Sequence, residues 1–180
     1  MRIYATRHGL TELNKQRRTN GQTIEDPLTH EGIEQAKKIT QFLPKKLSVI
    51  YTSDLLRARQ TAEIINKQLN IELINSPELR EIHLGSMTGK TWDEMNNEVG
   101  RNIAKEYQSQ KYDFRPWGGE SIDEVKKRVL RLIKNIREHD SGKNVLLVTH
   151  GGIIRLLQFL FQDKIHDRGI TNLEIHEFEI

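Results

Sequence analysis

Val145-Leu146-Leu147-Val148 is an uninterrupted apolar run, so a strand built from it has no polar face to turn to water. Such a strand must be covered on both sides, which is the setting of a parallel sheet between two layers of helix. The residues after it narrow the choice further. Thr149-His150-Gly151-Gly152 is polar and glycine-rich, and Ile153 to Phe161 is an almost wholly apolar helix interrupted only by Arg155 and Gln158. Two more short runs end in the same manner: Met1 to Thr6 runs into Arg7-His8-Gly9, and Val49-Ile50-Tyr51 runs into Thr52-Ser53.

The segments between these runs read as helices and loops. Leu10 to Asp26 has no apolar period and is a loop, long enough to suggest a function. Thr29 caps a helix with Ile33, Ala36, Ile39, Phe42 and Leu43 on its inner face, ended by Pro44. Ser53 is a plausible N-cap for a helix from Asp54 to Leu69, with Leu55, Ala58, Ala62, Ile65 and Leu69 inward. Ile71 to Ile74 is a strand, Glu78 to Gly89 is irregular, and Trp92 to Tyr107 is helical, weakly patterned and expected outside the main sheet. A capping box at Ser121 and Glu124 opens an amphipathic helix through Val125, Val129, Leu132, Ile133 and Ile136. A last alternating strand near Asn172 to Ile180 suits an edge.

Strands alternating with helices predict a three-layer α/β/α sandwich around a mostly parallel sheet, and 180 residues suit one domain over 1–180. A net charge of +3 is too small to argue for nucleic acid, and the absence of cysteine excludes disulfides and thiolate chemistry. Neither a leader nor a membrane span is visible, so a cytoplasmic protein is expected, as monomer or homodimer.

In doubly wound folds ligands sit outside the carboxyl ends of the strands. Arg7-His8, Thr52-Ser53 and Thr149-His150 are therefore expected to converge there, although they are spread over most of the chain. Each has a plainer reading. Arg57 could be a solvated helix residue, yet a cation in a first helical turn opposes the dipole unless an anion binds beside it. His150 could be a satisfied strand-end histidine, yet Gly151-Gly152 before a helix offers an anion cradle. Glu81 could pair with Arg80 or Arg57, and Glu120 could only complete the Gly118-Gly119 turn. His30, His83, His139, His166 and His176 read as surface residues. A zinc site is the competing chemistry, but no i, i+4 or H-x-H spacing supports it and neighbouring arginines repel a dication.

Arg7-His8-Gly9-Leu10-Thr11-Glu12-Leu13-Asn14 resembles the R-H-G-x-T-x-x-N signature of the histidine phosphatase superfamily, also called phosphoglycerate mutase-like. Ser53 to Ala62, Leu79-x-Glu81, Gly118-Gly119-Glu120-Ser121 and Val148-x-His150-Gly151 are similar to its later blocks, in the same order. The resemblance implies a phosphohistidine enzyme of phosphoglycerate mutase-like fold, with His8 as nucleophile. Arg7, Arg57 and His150 would hold the phosphoryl oxygens, Glu81 would be the proton donor, and Asn14, Gly21, Ser53 and Gly151 would complete the substrate-binding set. Leu10 and Thr88 depart from the family's frequent residues, which bears on the substrate pocket.

Phosphoryl transfer needs in-line positioning and cancellation of charge on the equatorial oxygens. Two arginines and a second histidine supply that without metal or other cofactor. The expected activity is hydrolysis of a small phosphomonoester; the alternatives are a cofactor-dependent mutase using the same site and a catalytically idle phospho-ligand module. The short turn at Gly118-Gly119, the end at Ile180 and a single lid candidate at Ser86 to Pro116 favour hydrolysis, because a mutase must shield its intermediate from water.

Overall fold

The computed structural model describes residues 1–165 and 168–180. Five strands, β1 (Arg2–Arg7), β2 (Leu47–Thr52), β3 (Glu72–Asn75), β4 (Asn144–Thr149) and β5 (Ile175–Glu179), form one sheet in the order β3-β2-β4-β1-β5. The β1–β4, β4–β2 and β2–β3 pairs are parallel, and β5 runs antiparallel to β1 at an edge. The mostly parallel sheet expected from the Val145–Val148 run is present, with β4 at its centre.

Period-2 geometry sends alternate residues of each strand to opposite layers. Tyr4, Ile50, Leu146 and Val148 pack beneath α2 (His30–Ile39) and α3 (Leu56–Leu69). Ile3, Ala5, Val49, Tyr51, Val145 and Leu147 pack on the other side, against α6 (Ile122–His139) and α7 (Gly151–Gln162). The remaining helices are α1 (Glu12–Lys15), α4 (Trp92–Val99) and α5 (Ile103–Gln108). The chain is thus a three-layer α/β/α sandwich.

Several local expectations need correction. The loop from Leu10 to Asp26 contains the one-turn helix α1, capped by Thr11. Trp92 to Tyr107 is two helices, because Gly100 takes the left-handed conformation that ends α4 (φ +69°). Ser53 does not cap α3: the N-cap is Leu55, and the Ser53 side chain is engaged elsewhere. Phe42 is 75% exposed rather than inward, since α2 gives way to a tighter 3-10 turn at Thr40–Phe42 that rotates it off the helix face. His83 and His176 are half-buried rather than at the surface, and His166 lies outside the described residues. No helix among the described residues is long and apolar enough to cross a membrane.

Candidate active site

Parallel pairing delivers the polar strand ends to one place. The β1–β4 ladder continues one step past β1, with His8 N–H donating to Thr149 O at 2.9 Å. The β2–β4 ladder does the same, with Ser53 N–H donating to Val148 O at 3.0 Å. His8 and His150 therefore lie side by side, their ring centroids 5.2 Å apart. Arg57 arrives from the first turn of α3, and its Nε donates to His8 Nε2 at 3.3 Å.

This geometry settles the state of His8. Its Nδ1 lies 2.8 Å from Gly9 O, which only accepts, so Nδ1 carries the proton. Arg57 Nε only donates, so Nε2 keeps its lone pair. His8 is 2% exposed, and burial, then the Arg57 and Arg7 cations, hold its pKa well below the usual histidine range. The ring is neutral at neutral pH, with a nucleophilic nitrogen held beside a guanidinium.

Around it stand donors that the protein does not saturate. Arg57 is 1% exposed; its Nη2 donates to Gly21 O at 2.8 Å, and burial draws its pKa down to about 10, so it stays charged. Arg7 donates from Nη1 to Ile170 O at 2.7 Å, while its buried Nε has no protein partner. His150 Nε2 lies 2.8 Å from Ser53 Oγ, and its buried Nδ1 also has no protein partner. Burial, then Arg57, holds the His150 pKa well below its ordinary value. Orphaned buried donors are uncommon because each costs about 1–3 kcal/mol. The Arg7 Nε–H and the unpartnered His150 Nδ1, set beside a neutral histidine, suit an anion.

Glu81 enters from the irregular segment after β3. Its carboxylate accepts from Ile82 N at 2.9 Å and from Gly152 N at 3.3 Å, the latter in the first turn of α7. A methyl group on the Gly152 Cα would overlap Oε1 of Glu81 and come within 2.6 Å of the Tyr107 hydroxyl, so both side-chain ends would have to shift. Glu81 pairs with neither Arg80 nor Arg57: Arg80 forks onto Asp54 at 2.6 and 2.7 Å instead. Glu120 is fully committed below the site, accepting from Arg128, from His83 N and from Gln22.

Above the histidine pair opens a cavity of about 310 Å3, lined in part by Arg7, Asn14, Gly21, Glu81 and Gly151. His8, Arg57 and His150 are buried next to lining residues rather than lining the cavity themselves: His8 and His150 adjoin Arg7 and Gly151 in the chain, Arg57 bonds Gly21 O, and the Ser53 hydroxyl lies on the His150 ring. Gly21 holds a left-handed φ of +51°, and Thr88 packs where its side chain would be, 2.6 Å from an ideal Cβ. Leu10 lines the cavity, and Thr88 serves the turn at Gly21, so the two departures from the family pattern have different consequences.

Three residues escaped the sequence reading. Asn172 Nδ2 donates to His8 O at 2.8 Å and to Asn14 Oδ1 at 3.1 Å, tying the segment before β5 to His8. Tyr107 lines the cavity with its hydroxyl close to Glu81, and burial raises its pKa. Arg155 lines it too, its guanidinium 5.9 Å from the Tyr107 ring. Only Arg155 left a trace in the sequence, as a lone cation in an apolar helix. Among the described residues, no group of three or more His, Cys, Asp or Glu side chains is arranged to hold a metal ion.

Comparison with known proteins gives this geometry its family. The profile of the histidine phosphatase superfamily (branch 1) matches residues 3–180. The chain is 35% identical to phosphoglycerate mutase-like protein 4 of Arabidopsis thaliana, over 86% of this chain and 68% of that protein. It is 36% identical to the metal-independent phosphoserine phosphatase of Arabidopsis thaliana, over 86% of this chain and 66% of that protein. The chain thus spans about two thirds of the length of these relatives. Among solved structures, a mycobacterial glucosyl-3-phosphoglycerate phosphatase complexed with VO3 superposes with a TM-score of 0.85 at 26% identity, covering 98% of this chain and 91% of that one. With its motif blocks gathered at one end of a mostly parallel sheet, the chain belongs to the histidine phosphatase superfamily, branch 1, and is an enzyme of that phosphatase family.

Proposed function

We propose that this enzyme hydrolyses a small phosphomonoester through a phosphohistidine on His8. The observation that carries the reading is the neutral, tautomer-locked His8 ring with Nε2 beside Arg57, next to the unpartnered donors of Arg7 and His150. Nε2 attacks phosphorus in line, and the ester P–O bond breaks. Arg7, Arg57 and His150 Nδ1 hold the three equatorial oxygens, and Ser53 fixes the His150 ring so that Nδ1 faces them. Glu81, held by two backbone N–H groups, gives a proton to the leaving oxygen. It then takes one from the water that attacks the phosphohistidine, releasing phosphate and restoring His8. Side chains supply the charge cancellation, so the reaction needs no metal.

Hydrolysis is favoured over phosphoryl return to a second substrate hydroxyl because the wall contributed by the 86–116 segment amounts to Trp92 and Tyr107. The cavity also lies at the small end for ligand sites, which suits a small metabolite. One experiment tests both points. Quenching turnover of a radiolabelled phosphomonoester should trap acid-labile, alkali-stable label on His8 of the wild type and none on His8→Ala, and a chase should move it into inorganic phosphate. Label on serine or a carboxylate overturns the nucleophile, and a chase into an isomeric ester replaces hydrolysis with mutase chemistry.

A further inference from the structure

Both nitrogens of the His8 ring answer to one helix. Arg57, in the first turn of α3, meets Nε2 directly. The other nitrogen, Nδ1, donates to Gly9 O at 2.8 Å, and Gly9 is itself held from α3, one turn further on. Gly9 N–H donates to Thr61 Oγ1 at 3.0 Å, and that hydroxyl gives its own proton to Arg57 O at 2.8 Å. The roles follow from the partners. A carbonyl only accepts, so the hydroxyl proton lies on Arg57 O and a lone pair of the buried Thr61 oxygen faces Gly9.

A threonine inside a helix can return its hydroxyl to the carbonyl four residues back, and that alone would account for the contact with Arg57 O. It does not account for Gly9, 52 positions away. Glycine at position 9 suits the close approach of α2, since an ideal Cβ there would lie 2.7 Å from Gly32 O, a backbone atom. Glycine also has the least restricted backbone, so nothing intrinsic aims its carbonyl at Nδ1. The groups on either side are tied by other residues. His8 N–H donates to Thr149 O at 2.9 Å, His8 O accepts from Asn172 Nδ2 at 2.8 Å, and Leu10 O accepts from Thr29 N at 2.9 Å. Between them, Gly9 N–H is anchored by the Thr61 hydroxyl.

We propose that Thr61 is a positioning residue for His8: by holding the Gly9 amide it keeps the Gly9 carbonyl on Nδ1, which keeps the proton off Nε2. The inference rests on the phosphohistidine reading and extends it, because only an unprotonated Nε2 carries a lone pair to attack phosphorus. A ring with its proton on Nε2 would also set two donors against each other, that N–H and Arg57 Nε.

The test is the full chain carrying Thr61→Val, which keeps the shape and removes the hydroxyl. Beside it stand Thr61→Ser and Thr61→Ala, which both lose the methyl group and differ in the hydroxyl. Turnover of p-nitrophenyl phosphate is measured together with NMR of ring-labelled histidines at neutral pH, the His8 signals being those absent from His8→Ala. Wild type should show His8 protonated on Nδ1 and bare on Nε2. Thr61→Val and Thr61→Ala should lower kcat by about 10–10²-fold with KM little changed, the scale of a small misplacement of a reacting group, and should show His8 partly protonated on Nε2. Thr61→Ser should restore both readings. A merely structural role would lower the melting temperature of Thr61→Val and leave the His8 tautomer as in wild type, which overturns the proposal. So does full turnover without the hydroxyl, or a wild-type His8 with its proton on Nε2, a result that needs no variant to fold. If wild type turns over no phosphomonoester while the tautomer still follows the hydroxyl, the phosphohistidine reading fails and the hold of Thr61 on His8 stands.

Discussion

Two polar clusters sit within a few residues of each other and are built on opposite principles. In the lower one, Arg128 donates to Glu120 at 2.9 and 3.1 Å, to Glu78 O at 2.5 Å and to Glu81 O at 3.2 Å. Glu120 also receives His83 N–H at 2.9 Å and the Gln22 amide at 3.2 Å. Charges cancel, and the cluster holds the turn at Gly118-Gly119 and the irregular Glu81 segment together. In the upper one, Arg57 lies against a histidine and a carbonyl, and Arg7 Nε and His150 Nδ1 have no protein partner. A saturated cluster stabilises the fold, whereas an unsaturated one in which cations outnumber the lone Glu81 carboxylate stores affinity for an anion.

Exchanging the fates of Arg57 and Arg128 is the sharpest way to break that contrast. Arg57→Met should lower kcat by about 10²–10³-fold, the effect of losing one preorganised donor, while leaving stability equal or slightly higher. Arg128→Met should cost about 2–3 kcal/mol of stability, discounted for partial exposure, because Glu120 and two carbonyls lose their partner. Steady-state kinetics and denaturant melts of both variants provide the check. A strongly destabilised Arg57→Met with near-normal turnover erases the distinction.

Glu81 belongs to both clusters, its carbonyl to the lower and its carboxylate to the upper. Glu81→Gln should therefore leave the fold intact and act on leaving groups selectively. We expect about a 10²-fold loss on an alkyl phosphate and less than tenfold on p-nitrophenyl phosphate, which departs without much protonation. Equal losses on both would remove Glu81 from the proton-donor role.

The smallest effect is a pH dependence peculiar to the upper cluster. His8 and His150 both have folded pKa values below the ordinary 6.5, so the unfolded chain binds more protons beneath that pH. Their contribution to stability is complete above about pH 6.5 and is lost as pH falls towards the folded values, by up to about 1.4 kcal/mol per unit for each group. Melting wild type and His150→Gln between pH 7.5 and 5 should give a shallower acid slope for the variant. Parallel slopes would mean that other groups govern the acid limb.

Much of the architecture was legible in the chain. An apolar run covered on both faces required a parallel sheet, and polar residues at three strand ends had to meet because parallel strands share an end. Local patterns that depend on what packs outside the helix were less readable, as Phe42 and the divided Trp92–Tyr107 segment show. Ser53 looked like a cap because serines commonly cap, but its hydroxyl is bound to a histidine 97 positions away.

By itself the sequence determined which residues would converge, since hydrophobic periodicity and strand polarity are local properties of the chain. Only the tertiary structure decided what each of them does there. The proton on His8 is placed by Gly9 O and Arg57 Nε, the carboxylate of Glu81 is aimed by the first turn of α7, and Asn172 reaches the His8 carbonyl from 164 residues along the chain. Hydrogen-bond partnership is set by distance and direction in space, and neither is encoded in the spacing of residues along a chain.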